Sequence, residues 1–314
     1  MIPFQFGCLA MTPVGSQADW VEQARRAEAR GFATLQVSDH FDRTPLPPLI
    51  ALAAAAQVTS SIRLGTLVLD NDFRHPAVLA KEIAGLDVLS GGRVEIGLSA
   101  GWLDGDYEVS GIAKDRPGVR IARLSQAVQI IKAVLAEAGP ATLDTGHYAV
   151  RGLVSTPPAV QQPHPPLLLG GGAPRMLTLA AREADIVGVN MRNDEGRSGP
   201  VAARSAYRDA IDEKVTFVRD VAGQHGRDPL LHVIAYWAEV TEHPREALER
   251  KIAQLGIPVN ADDIVDSPHC LVGPLNALIE RLAEMRERWG VSYVTVYERD
   301  SASIAPLLAA LAQP

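Results

Sequence analysis

Apolar and polar positions follow a repeating rhythm along this chain: a short aliphatic run, a polar loop, then a longer stretch with apolar residues at helical spacing. Residues 63 to 111 show the unit most clearly. Ile62 to Leu69 reads as a strand, Pro76 suits a first helical position, and Val78, Leu79, Ile83, Leu86 and Leu89 recur at helical spacing until Gly91-Gly92 stops the helix. A second strand, Val94 to Leu98, follows directly. The segment is thus a β-α-β unit, and its loops Leu67 to His75 and Ser99 to Gly111 follow strand C-termini, where such units carry chemistry.

The same pattern predicts strands at Phe4 to Ala10, Thr34 to Val37, Leu167 to Leu169, Asp185 to Val189, Leu231 to Val240 and Val291 to Tyr297. Between them run a helix capped by Ser16 and ended by Gly31, an alanine-rich helix reaching Gln57, and a long helix carrying Ile121 through Leu135. Further helices are expected at Pro174 to Glu183, around Ser205 to Ala222, at Pro244 to Leu255, at Leu275 to Trp289, and at the close up to Leu311. Eight strands alternating with helices, and no glycine fingerprint after the first strand, predict an α/β fold: a single closed (β/α)8 TIM barrel spanning residues 1–314. Three stretches break the rhythm and read as insertions, near 139–166 with a small hairpin Thr142 to Val150, near 190–203, and near 256–272. Asn190 to Val201, polar with Gly196 and Gly199, is the candidate mobile loop.

Composition narrows the partners. A chain 47% hydrophobic and 21% charged has ample core, and 30 basic against 37 acidic residues, net charge -7, argues against nucleic acid or an anionic membrane and for a small molecule. Cys8 and Cys270 have no metal-ligand spacing, and none of the eight histidines stands at His-x-x-x-His spacing with a carboxylate between. With no metal set, nucleophile elbow or Walker motif, the barrel mouth is expected to rely on an organic cofactor. The first residues do not resemble a signal peptide and no apolar run reaches membrane-spanning length, so a cytoplasmic protein is expected.

Candidate chemistry gathers on loops. His40, just past strand two, could exchange a proton near neutral pH, or be a rim histidine held by Asp39; Asp39 could orient it, bond a ligand ring, or cap the turn. Gly170-Gly171-Gly172-Ala173-Pro174 joins a strand to a helix N-terminus, which suits a phosphate but also close packing. Trp102 could wall a flat heteroaromatic ligand or fill core. Arg74 and His75 are read as shaping helix entry, Ser90-Gly91-Gly92-Arg93 as a helix stop, and Cys8 as a small core or rim residue.

Ser38-Asp39-His40, Leu64-Gly65-Thr66, Arg74-His75-Pro76, Leu86 through Arg93, Ala100-Gly101-Trp102, Gln162 through Pro166, Gly170-Gly171-Gly172 and Ala184 through Val187 together resemble the bacterial luciferase-like superfamily over nearly the full chain. Val68 through Pro76 and Ser267-Pro268-His269 resemble its deazaflavin branch, oxidoreductases that use coenzyme F420. The resemblance implies that Asp39 and His40 lie beside the deazaflavin ring and that Gly171, Gly172 and Ala173 hold its phosphate. It also implies a non-proline cis bond at Leu67–Val68 in a bulge backing the ring. Asp39, Thr66, Leu67, Val68, Gly170, Gly171, Gly172 and Ala173 are then the expected cofactor-binding residues, with His40 and Trp102 catalytic. Two departures stand out: Trp102 occupies the place of the glutamate acid of the branch's sugar-phosphate dehydrogenases, and Phe41 to Pro48 lacks their tryptophan. With no carboxylate base beside Trp102, the expected reaction is hydride transfer that reduces a C=C or C=N bond of a small substrate. The alternatives are a flavin mononucleotide (FMN) monooxygenase fed by a separate reductase, and a non-catalytic cofactor-binding protein. A homodimer formed through the helices flanking strands two to four is implied by the family.

Overall fold

The computed structural model describes residues 4–136, 139–193, 196 and 199–312. Eight parallel strands close into a barrel: Gln5–Ala10, Thr34–Val37, Arg63–Thr66, Val94–Ser99, Leu167–Gly171, Ile186–Val189, Leu230–Ala235 and Val291–Tyr297, here strands one to eight, the eighth pairing back onto the first. The local signals act as read. Ser16 Oγ accepts from the Asp19 amide at 3.2 Å, His75 Nδ1 accepts from Ala77 N at the start of the Pro76–Ser90 helix, and Gly91 at φ 68° ends that helix. The hairpin is present as Ala141–Asp144 against Ala149–Leu153, turning at Gly146 with φ 93°.

Four boundaries differ. Strand three is interrupted after Thr66 by a cis Leu67–Val68 peptide bond and resumes as Leu69–Asp70; a continuous aliphatic run gives no sign of this. The neighbouring strand makes room with Gly97, where a Cβ would lie 2.0 Å from the Thr66 carbonyl oxygen. The stretch Ser99 to Gly111 is not all loop, because Asp104–Ser110 is helical, closed by Gly111 at φ 71°. Strand seven ends at Ala235, and Trp237–Val240 turns away to pair with Cys270–Gly273 in a separate parallel sheet. The helix expected from Ser205 runs from Arg208 to Gln224, with a short Pro200–Arg204 helix before it. Asp194, Glu195, Arg197 and Ser198 of the expected mobile loop lie outside the described residues.

Alternation divides the strands between two environments. Phe6, Cys8 and Ala10 face the core between barrel and helices, while Leu9 joins Leu67, Leu168, Ile186, Ile234 and Tyr293 in the barrel interior. Such interiors are usually filled by branched apolar side chains, but here part of the interior is polar. Tyr293 Oη donates to Glu95 at 3.0 Å and accepts from Gln36 at 3.0 Å, and Thr295 Oγ1 donates to Gln36 at 2.7 Å. Gly7 leaves the room, since a Cβ there would lie 2.5 Å from Thr295 Oγ1. Burial raises the Glu95 carboxyl above the usual carboxylate range. A second apolar cluster joins the two late insertions: Met191, Ala203 and Ala206 pack with Trp237, Ile257, Ile264 and Cys270. Among the described residues no helix is long and apolar enough to cross a membrane.

Candidate active site

The C-terminal mouth of the barrel opens into a cavity of about 950 Å³. Asp39, His40, Leu67, Val68, Trp102, Gly170, Gly171, Gly172 and Ala173 all line it. Thr66 does not: its hydroxyl donates to the Gly97 carbonyl and accepts from the Gly97 amide, both at 2.9 Å, stitching strand three to strand four.

His40 is held by a carboxylate, but not by Asp39. Its Nδ1 lies 2.6 Å from Asp106 Oδ2, and Asp106 Oδ1 also accepts from the Phe41 amide at 3.1 Å. With Nδ1–H donating to Asp106, Nε2 is the ring atom free to exchange a proton. Trp102 stands edge-on to the imidazole, ring centroids 5.9 Å apart. Asp39 is instead gripped by Arg74, with Nη2 to Oδ1 at 3.0 Å, and accepts from the Asp70 amide at 3.1 Å. Arg74 therefore does more than shape helix entry: it neutralises the carboxylate beside His40.

The glycine run serves two ends. A Cβ on Gly172 would lie 2.5 Å from the Met191 carbonyl, so close backbone packing requires glycine there, while one on Gly170 would sit tightly, 3.2 Å from Gly188 O. Ala173, at the cap position of the Pro174–Glu183 helix, offers no side-chain cap, which leaves that N-terminus to an anion from outside. Cys8 is a core residue whose thiol burial pushes up to about 12.

Several residues of the site escape a reading of periodicity. Asp70 lines the cavity; its Oδ2 lies 3.1 Å from Tyr107 Oη, and burial, with the charge of Asp72, pushes its carboxyl up to about 7. Gly101, at φ 73°, allows this approach, since a Cβ there would lie 2.3 Å from Asp70 Oδ2. A carboxyl group therefore does stand beside the Trp102 loop, contrary to the expectation from sequence. His232 also lines the cavity, with Nε2 2.8 Å from Thr295 Oγ1. That threonine already donates to Gln36, so His232 donates from Nε2. Burial, then the neighbouring His269, pushes its pKa down to about 3, so it stays neutral. The available signal was the Asp104-Gly-Asp-Tyr107 cluster before Gly111, a helix start and stop.

Comparison with known proteins identifies the family and the fold. The family model described as luciferase-like monooxygenase matches residues 1–293. An uncharacterized protein of Mycobacterium tuberculosis is 31% identical over 236 residues, 68% of this chain and 76% of that one. An F420-dependent glucose-6-phosphate dehydrogenase of Amycolatopsis mediterranei is 36% identical over 121 residues, 36% of each chain. Among solved structures, an F420-dependent secondary alcohol dehydrogenase superposes with TM-score 0.79 at 18% identity, covering 99% of this chain and 100% of that one, which shows a shared fold. Neighbours of that fold include both F420-dependent enzymes and a monooxygenase in complex with FMN. The chain belongs to the luciferase-like monooxygenase family.

Proposed function

We propose that the protein is an F420-dependent oxidoreductase that reduces a C=C or C=N bond of a small organic substrate. The observation that carries this reading is the convergence, in one cavity, of an uncapped helix N-terminus at Ala173, an apolar bulge at Leu67–Val68 and a carboxylate-held His40. The stretch related to F420-dependent glucose-6-phosphate dehydrogenase supports the choice of cofactor. When bound, F420 supplies a hydride. The backbone of Gly171, Gly172 and Ala173 would hold its phosphate, Leu67 and Val68 would back its ring, and Trp102 would wall the substrate. His40, held by Asp106, exchanges the proton that accompanies the hydride. Trp102 in place of an acid argues against a sugar phosphate as substrate, and burial pushes the Asp70 carboxyl beside its loop towards the protonated form, an acid and not the base that alcohol oxidation needs, which supports reduction.

The family's description favours a second reading, an FMN-dependent monooxygenase. Titration with each oxidised cofactor separates them. Saturable F420 binding with FMN at least tenfold weaker is expected; tight FMN binding with oxygen uptake on reduction would overturn the proposal. F420 binding without hydride exchange to any substrate in a broad panel would instead favour a cofactor-carrying protein.

Both cysteines are free and buried, which fits a reducing, cytoplasmic setting. We also propose a homodimer through the adjoining Pro48–Ala56 and Pro76–Ser90 helices, which leave Ile50, Val78 and Leu89 more than half exposed. Sedimentation at micromolar concentration tests this: a monomer there would sink the idea.

A further inference from the structure

We propose that Asp70 is a neutral carboxylic acid built into the cavity wall, a second proton-holding site whose O–H, donated to Tyr107 Oη in the absence of substrate, turns to a carbonyl oxygen or imine nitrogen when substrate binds. Proton counting around Tyr107 carries the argument. Its Oη lies 3.1 Å from Asp70 Oδ2 and 3.0 Å from Asp72 Oδ2, yet a phenol has one hydrogen to donate. Arg123 grips both oxygens of Asp72, at 2.9 and 3.1 Å, so Asp72 is the ionised partner and takes the phenolic hydrogen. The contact to Asp70 is then a hydrogen bond only if Asp70 carries the proton and donates to the phenol oxygen.

The surroundings favour the same state. Asp70 is 7% exposed and, among the described residues, no cation pairs with it. Arg74 is committed to Asp39, Arg123 to Asp72 and Asp115, and Arg120 to the carbonyls of Ala100, Gly101 and Asp115. Ionising Asp70 would place a further negative charge beside Asp72 and Asp39, in low dielectric. Its other oxygen accepts from the Asp72 amide at 2.9 Å, which orients the group. His40 and Asp106 form a separate pair on the same cavity.

Substrate would exchange the Asp70 O–H···Tyr107 hydrogen bond for one to its own heteroatom, and no O–H bond breaks. Asp70 polarises that heteroatom, His40 gives the one proton the reduction needs, and the bound cofactor would supply the hydride. The donor role thus rests on the proposed oxidoreductase function, whereas the protonation does not.

Infrared difference spectroscopy of the cofactor-free protein tests the protonation. A protonated-carboxyl band present at pH 6, titrating near about 7 and missing from Asp70→Asn, is expected. No band lost in that variant would overturn the inference. Should Asp70→Asn not fold, Tyr107→Phe reports instead, because losing the phenol oxygen must shift the band, and an unshifted spectrum overturns the assignment. Failure of F420 to bind with the band present would sink only the proposed function. With reduced F420 and the quinone menadione as a carbonyl acceptor, turnover falling above pH about 7 in the parent and losing that limb in Asp70→Asn supports the donor role. The same limb in both overturns it.

Discussion

The imidazole of His40 exchanges protons usefully only while Asp106 holds it in one orientation, at 2.6 Å. Replacing His40 by Ala is expected to lower turnover by about 10²–10⁴, the usual worth of a general acid–base group, while F420 affinity changes less than tenfold. Single-turnover reoxidation of bound reduced cofactor is the measurement, and a loss of only a few-fold would remove His40 from the chemistry. His40 itself could be found from sequence, because it follows a strand end. Its partner could not, because Asp106 is 66 residues away and becomes a neighbour only once the barrel closes. Asp39, adjacent in the chain, drew the sequence assignment and proved to belong to Arg74.

The elements with strong periodicity, such as the Pro76–Ser90 and Leu275–Trp289 helices, fall where the apolar pattern puts them. What the pattern misses is short and irregular. Seven residues at Asp104–Ser110 cannot show a helical period, though they place Asp106 against His40 and Tyr107 against Asp70. The bulge after strand three likewise leaves no trace in an aliphatic run, and was reached only by resemblance. The glycine loop offers a test at this scale. Gly172→Ala would drive a Cβ to 2.5 Å from the Met191 backbone, which can yield only if the loop shifts. We expect F420 affinity at least tenfold weaker, about 1.4 kcal/mol, measured by fluorescence titration. Unchanged affinity would mean that this turn does not set the phosphate site.

Over the whole molecule, buried polar groups couple stability to pH. Burial holds His232 and His269 at about 3 in the fold, against 6.5 for an ordinary histidine. The unfolded chain therefore binds more protons between these values, and ∂ΔG/∂pH is positive there. The contribution is complete above pH about 6.5 and is lost as pH falls towards about 3. The melting temperature should drop through this window, and less steeply in His232→Gln; parallel curves for parent and variant would show that His232 does not titrate as described. The closed barrel was legible as eight repeats, but its polar interior was not, since Gly7, Gln36 and Thr295 look unremarkable within apolar strands. The cluster of Met191, Ala203 and Ala206 with Trp237, Ile257 and Cys270 has a further consequence for engineering. Because segments far apart in sequence share one apolar surface, transplanting only one of them from a relative would strand the other's hydrophobic face in water. Substrate preference in this scaffold should transfer when both are exchanged together, as a single cassette.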